Sequence, residues 1–156
     1  MAPDAHREER NLAATRQLFA DFAAGRNGYS AFIAESCVYE TAGFPVLRGR
    51  SAILSFLFGG GMARVAERYG NPRLTEIRTL VPEVIHLIAR DNVVVSERVD
   101  HHYTADGEDV LTPRLVGVME FDEAGRCTAW REYHDPAWFS GVRSATWGDE
   151  QTALAP

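Results

Sequence analysis

Residues 96–104 read SERVDHHYT and have the composition of a β-strand with one polar face. Side chains alternate between the two faces of a strand, so Arg98, Asp100 and His102 point the same way. Three polar groups in a row indicate either the solvated surface of a sheet or the wall of a pocket. Spacing alone leaves both interpretations open.

The segments around this stretch predict an antiparallel meander. Strand-like runs occupy 75–89, 93–104, 111–122 and 126–135. Their connections ARDN, ADGED and DEAG are rich in Asp, Asn and Gly, which is typical of hairpins.

Helices are predicted before the meander. Apolar residues at helical spacing indicate a helix from Glu8 to Ala24 that ends at Gly25. Ser30 is a candidate cap for a short helix through Glu35, followed by a strand over CVYET. A further helix begins near Ser51. The glycines at 59–61 interrupt it, and the pattern leaves open whether helix resumes over 62–69. Helices first and antiparallel strands afterwards predict an α+β fold.

Bulk composition narrows the classes of function. The 156 residues fit one domain, with a core at about 8–143 and a flexible tail at 144–156. A net charge of −6 with scattered basic residues argues against nucleic acid. Cys37 and Cys127 have no metal-binding or disulfide-framework spacing. The sequence contains no leader or membrane-spanning run, so we expect a cytoplasmic protein that does not bind membranes.

A second polar face lies on the last predicted strand, RCTAWREYHD at 126–135. Trp130, Glu132 and His134 share one side of it. If both polar strands line one concave side of the sheet, four side chains converge: Arg98, Asp100, Trp130 and Glu132. Two carboxyls beside an arginine in an aromatic wall can have separated pKa values, so that one donates a proton while the other accepts one.

A metal site is the alternative for the same residues. Asp100 with His102 and Glu132 with His134 form two carboxylate-x-His pairs, a set that suits non-haem iron. Arg98 lies on the same face, and its fixed positive charge opposes a divalent cation. We therefore expect no metal at this site.

The motifs SERVD at 96–100 and LVGVMEFDEAGRCTAWREYHD at 115–135 resemble the limonene-1,2-epoxide hydrolase family. Members of that family carry Arg-x-Asp on one strand and Trp-Arg-Asp-Tyr on the last. The resemblance is strongest over 93–139 and weaker over YETAGFPVLRGRSAI at 39–53.

The resemblance implies a strongly curved, mostly antiparallel sheet that forms a cone around a deep pocket, with the N-terminal helices packed on it. Ketosteroid isomerase and polyketide cyclases share this fold, and the family is usually homodimeric. If the family's roles are carried over to the matching positions, Asp100 is the general acid and Glu132 is the base. Arg98 then bridges the two carboxyls, and Tyr39 holds the attacking water. The activity that the resemblance implies is hydrolysis of an epoxide to a diol in a single acid and base step, without a metal or an organic cofactor.

Two departures from the family bear on the reaction. Thr41 replaces the water-binding Asn, and Glu132 replaces the basic Asp. A hydroxyl offers fewer hydrogen-bonding sites than an amide, so water is held less firmly. This favours, as an alternative, a cyclase that opens the epoxide with the substrate's own hydroxyl to form a cyclic ether.

A non-catalytic small-molecule binding module is a further alternative, since one fold serves many functions. The many aromatic and aliphatic residues favour a hydrophobic epoxide as ligand. The residues that we expect to contact this substrate are Phe56, His102, Trp130 and His134.

Overall fold

The computed structural model of the chain describes residues 4–25 and 31–141. The tail predicted at 144–156 and the proposed cap Ser30 lie outside the described residues. Three α-helices are present in the described part: α1 Ala5–Ala23, α2 Arg50–Phe58 and α3 Gly61–Tyr69. Two short 3-10 helices occupy Pro72–Glu76 and Pro136–Ser140.

Local sequence signals account for the helix ends. The Asp4 carboxylate accepts a hydrogen bond from the backbone N–H of Arg7 and so caps α1. Gly25, at φ +61°, follows its last residues as predicted. Gly60, at φ +92°, separates α2 from α3, so helix does resume after the predicted break.

Seven strands form one sheet in the described chain: β1 Ile33–Thr41, β2 Leu47–Arg48, β3 Ile77–Arg90, β4 Val93–Thr104, β5 Asp109–Leu111, β6 Arg114–Phe121 and β7 Cys127–Tyr133. Their order is β2-β1-β7-β6-β4-β3, and β5 pairs with β4. β1 runs parallel to β7, and the other pairs are antiparallel. The sheet curls into a half-barrel against α1, which confirms the predicted α+β fold.

Two details of the prediction are wrong. The short helix predicted through Glu35 is replaced by β1, because Ile33 is fully buried and pairs with Cys127 of β7. Tertiary pairing here overrides the local capping signal. The strand predicted at 111–122 is interrupted before β6, because Pro113 has no N–H to donate to a ladder.

The two faces of β4 differ as its alternation predicts. Ser96, Arg98 and Asp100 are buried on the concave face of the sheet. Glu97 lies on the outer face, where it pairs with His86 and Arg114. The polar row is therefore the wall of a pocket rather than a wet surface. No helix in the described part of the chain is long and apolar enough to cross a membrane.

Candidate active site

Arg98 forms the centre of a buried ionic cluster. Its Nε donates to Asp100 Oδ1 at 2.8 Å, and its Nη2 donates to Asp100 Oδ2 at 3.2 Å and to Glu132 Oε1. Nη1 donates to the Ser96 hydroxyl at 3.1 Å. The guanidinium also lies 4.9 Å from the centre of the Phe19 ring. Arg98 is only 2% exposed, so these contacts replace its hydration.

Glu132 receives hydrogen bonds from three directions. Besides Arg98, the indole N–H of Trp130 donates to Oε1 at 3.0 Å and the Tyr39 hydroxyl donates to Oε2 at 2.9 Å. A carboxylate has about four acceptor positions. Three are occupied by side chains, which leaves one on Oε2 for a further donor.

The parallel pairing of β1 with β7 brings Tyr39 to this carboxylate. Tyr39 lies opposite Trp130 in the register, and their ring centres are 5.0 Å apart in an edge-on arrangement. Phe56 of α2 packs against Tyr39 with ring centres 6.2 Å apart. Both phenol and indole are therefore held by aromatic packing with their polar atoms directed at Glu132.

Gly117 of β6 provides the space for the guanidinium. It lies opposite Ser96 of β4 and opposite Glu132 of β7. A Cβ at this position would lie 2.7 Å from Arg98 Nη1 and 2.9 Å from the Ser96 hydroxyl oxygen. Any larger residue would displace the group that bridges the two carboxyls.

The cluster separates the pKa values of its two carboxyls. Burial raises the pKa of Asp100 above its ordinary value, the charge of Glu132 acts in the same direction, and together they outweigh Arg98. Burial also acts to raise the pKa of Glu132, but Arg98 and the hydrogen bond from Tyr39 lower it overall. Burial and Glu132 raise the pKa of Tyr39, so its phenol keeps the proton that it donates.

Three further predicted residues lie at the edge of the cluster. The Thr41 hydroxyl pairs with Nε2 of His134 at 3.0 Å. The other ring nitrogen of His134, Nδ1, is buried and has no hydrogen-bond partner among the described residues. Nδ1 of His102 lies 3.0 Å and 3.1 Å from the backbone oxygens of Asp100 and Leu111, and burial lowers the pKa of this imidazole.

The two carboxyls, Arg98 and the residues around them open onto a cavity of about 240 Å³, which Ser96 and Gly117 do not line. Every residue that the sequence analysis assigned to the site lies on its wall, although their catalytic roles stay predictions. The remaining wall is largely apolar and includes Phe22, Phe44, Leu57, Met62 and Leu115. A polar cluster in an apolar cavity suits a hydrophobic ligand with one reactive polar group.

A metal is not favoured by this geometry. The described residues include no group of three or more His, Cys, Asp and Glu side chains placed to hold a metal ion. Arg98 occupies the space between the two carboxyls, and Nδ1 of His102 faces backbone oxygens. The expectation of a metal-independent site stays a prediction.

The sequence analysis missed Ser96 and Gly117. Ser96 follows the same alternation as Arg98 and Asp100, so the spacing of 96, 98 and 100 contained the signal for it. Gly117 depends on the register between β4, β6 and β7. No local pattern predicts that register.

No protein-family model and no curated protein matches the sequence. Solved structures do match. A protein of unknown function from Burkholderia pseudomallei K96243, described as NTF2-like, superposes with a TM-score of 0.67 at 15% identity. The match covers 87% of this chain and 98% of that one. The fold is NTF2-like.

Two other solved structures that match this chain are of proteins with a named activity. An LEH-like epoxide hydrolase from M. tuberculosis has a TM-score of 0.59 and 20% identity, covering 85% of this chain and 87% of that one. A protein from Jannaschia sp. CCS1 assigned as a SnoaL-like polyketide cyclase has a TM-score of 0.63 and 14% identity. The match covers 89% of this chain and 94% of that one. Sequence identities of 14–20% establish the fold alone and do not establish the reaction.

Proposed function

We propose that this protein opens a hydrophobic epoxide by general acid and base catalysis and hydrolyses it to a diol. The observation that carries the proposal is the bridge from Asp100 through Arg98 to Glu132, with Tyr39 bonded to the second carboxyl. This arrangement supplies an acid and a base on either side of one guanidinium, inside an apolar cavity.

Charge balance supports an acid role for Asp100. Two ionised carboxylates around one guanidinium would bury a net negative charge, which is costly in an apolar site. One carboxyl is therefore favoured to retain a proton. Glu132 accepts three hydrogen bonds that favour its ionised form, whereas the carboxyl of Asp100 receives hydrogen bonds, among the residues that the structure describes, from Arg98 alone. Asp100 is then the protonated member and donates its proton to the epoxide oxygen.

Glu132 has the complementary role. The remaining acceptor position on Oε2 of Glu132 can take a proton from a water. The Tyr39 hydroxyl donates to the same oxygen and so fixes the direction in which that acceptor position points. The water oxygen bonds to one epoxide carbon as the ring C–O bond breaks, and Asp100 protonates the departing oxygen. The reaction leaves Glu132 protonated and Asp100 ionised. Proton transfer from the first to the second restores the starting state.

Cyclisation is the second candidate, and the Thr41 contact favours it. The Thr41 hydroxyl already pairs with His134, which reduces its capacity to hold a water. A substrate hydroxyl positioned by the rest of the ligand would need no such support. Glu132 would then take the proton from that hydroxyl, and the product would be a cyclic ether.

The variant Asp100→Asn tests the proposal. Its amide cannot protonate the epoxide oxygen, so we expect loss of ring opening, by roughly 10²-fold or more, with an intact fold. Turnover is measured by product chromatography and folding by circular dichroism.

Asp91→Asn is the matched control. Asp91 lies in the turn between β3 and β4 at φ +53°, a conformation that Asn tolerates, and it is remote from the cavity. We expect unchanged turnover for this control. A folded Asp100→Asn variant with wild-type turnover would remove Asp100 from the mechanism.

A further inference from the structure

The cavity has a basic residue that the ring-opening chemistry does not use. Arg78 lines the cavity but forms no part of the Arg98 cluster. Its Nη1 donates to the backbone oxygens of Thr75 and Ile77 at 2.7 Å and 2.9 Å, which orients the guanidinium. Nε and Nη2 have no hydrogen-bond partner among the described residues. The side chain is exposed, so these donors lie at the rim rather than in the interior.

A bulge in β3 places Arg78 at this rim. Ile77 pairs with Thr104 and Thr79 pairs with Tyr103, so Arg78 is the extra residue between two successive pairs. Bulges of this kind redirect a side chain away from regular alternation and are common beside functional sites. The position of Arg78 therefore depends on this irregularity in the pairing of β3 with β4 and not on the regular alternation of the strand.

Two arginines of α3 add positive charge beside the same cavity. The guanidinium carbons of Arg64 and Arg68 lie 5.9 Å from the ring centres of Phe56 and Phe44, respectively. Both rings line the cavity and are 4.9 Å apart. No described carboxylate forms an ion pair with either arginine or with Arg78. This is notable because acidic residues outnumber basic ones by 22 to 16 in the chain.

We propose that the ligand of this cavity is an amphiphilic acid: its carboxylate binds at Arg78, and its apolar body fills the cavity. Arg64 and Arg68 strengthen the positive potential at the entrance. The inference rests on the proposed function and narrows its substrate class from a neutral hydrophobic epoxide to an epoxide that bears a carboxylate.

The distance between rim and cluster suits a medium-chain acid. Arg78 lies opposite the space between Tyr103 and Thr104, three to four residues from Asp100 along β4. At about 3.4 Å per residue this separation is roughly 10 Å or slightly more. A carboxylate held at Arg78 would thus place a mid-chain epoxide at Asp100 and Glu132.

The test compares binding of octanoate and 1-octanol, which have the same chain and differ in charge. Intrinsic tryptophan fluorescence reports binding without any turnover, because one of the three tryptophans, Trp130, lies in the cavity wall. An ion pair at an exposed position is weakened by solvent, so the gain from the charge is modest. We therefore expect octanoate to bind roughly three- to fivefold more tightly than 1-octanol in the wild type, with less preference at high salt.

Arg78→Gln should abolish most of this preference without changing the affinity for 1-octanol. Arg90→Gln is the matched control, because Arg90 lies at the other end of the same strand, is exposed, and is not a cavity residue. It should keep the wild-type preference. Equal affinity for the two ligands, no binding of octanoate, or an unchanged preference in Arg78→Gln would each overturn the inference.

The test separates this inference from the proposed function. Octanoate cannot undergo ring opening, and Asp100→Asn should keep the acid preference because Asp100 does not contact the rim arginines. If the preference for octanoate over 1-octanol depends on Arg78 but no epoxide is turned over, the proposed reaction is contradicted and the inference about the acid stands. If neutral epoxides are turned over but octanoate binds no more tightly than 1-octanol, the inference about the acid is contradicted and the proposed reaction stands.

Discussion

Gly117→Ala tests whether the position of Arg98 controls the reaction. The new Cβ would lie 2.7 Å from Arg98 Nη1 and 2.9 Å from the Ser96 hydroxyl oxygen. Relief to an ordinary contact of about 3.5 Å requires the guanidinium to move by roughly 0.8 Å. Arg98 cannot move that far without lengthening its bonds to Asp100 and Glu132. Displacements of about 1 Å cost on the order of 10²-fold in rate, which is the loss that we expect.

Stability and turnover must both be measured for this variant. Overpacking costs about 1–3 kcal/mol, so the protein should remain folded in a urea titration while epoxide turnover falls. Gly107→Ala is the matched control: Gly107 has φ +83° and open space around it, so alanine is strained there by about 1 kcal/mol or more but touches nothing in the site. It should lose stability and keep turnover. A folded Gly117→Ala variant with wild-type turnover would refute the claim that the guanidinium must occupy this position.

Three further predictions follow from the site and the sheet. The proposed mechanism requires a protonated Asp100 and an ionised Glu132. The turnover rate should therefore fall as the pH rises through the raised pKa of Asp100, and it should also fall as the pH drops through the lowered pKa of Glu132; a flat pH–rate profile would contradict both roles. Thr41→Asn can bond His134 and a water together, so diol formation should rise, and an unchanged rate argues against poor water placement. The outer sheet face exposes Ile88 and Tyr133, and we expect a homodimer by light scattering; a monomer at micromolar concentrations would exclude it.

The alternation of β4 and β7 was the most informative signal in the sequence. A period of two places Arg98 with Asp100 and Trp130 with Glu132, because side-chain direction in a strand depends only on local geometry. The structure brings these four side chains together, as the sequence analysis expected. Their convergence depended on both strands facing one concave side, and only the resemblance supplied that part of the prediction.

Other features depended on long-range pairing and were not predictable from local pattern. β1 lies parallel to β7, and this pairing brings the Tyr39 hydroxyl to Glu132 from 93 residues away. The same pairing extends strand into 33–35, where the local signal favoured helix. The bulge at Arg78 is likewise a property of register. Sequence periodicity identifies faces of elements, whereas register between elements decides which faces meet.

A reaction in oxygen-18 water shows whether the oxygen added to the epoxide comes from solvent, as hydrolysis requires. The purified protein is given a panel of hydrophobic epoxides, some bearing an internal hydroxyl and some a carboxylate, in labelled water without added metal. We expect a diol that carries one labelled oxygen, formed by the wild type and not by Asp100→Asn. An unlabelled cyclic ether, or no product from any epoxide in the panel, would contradict it.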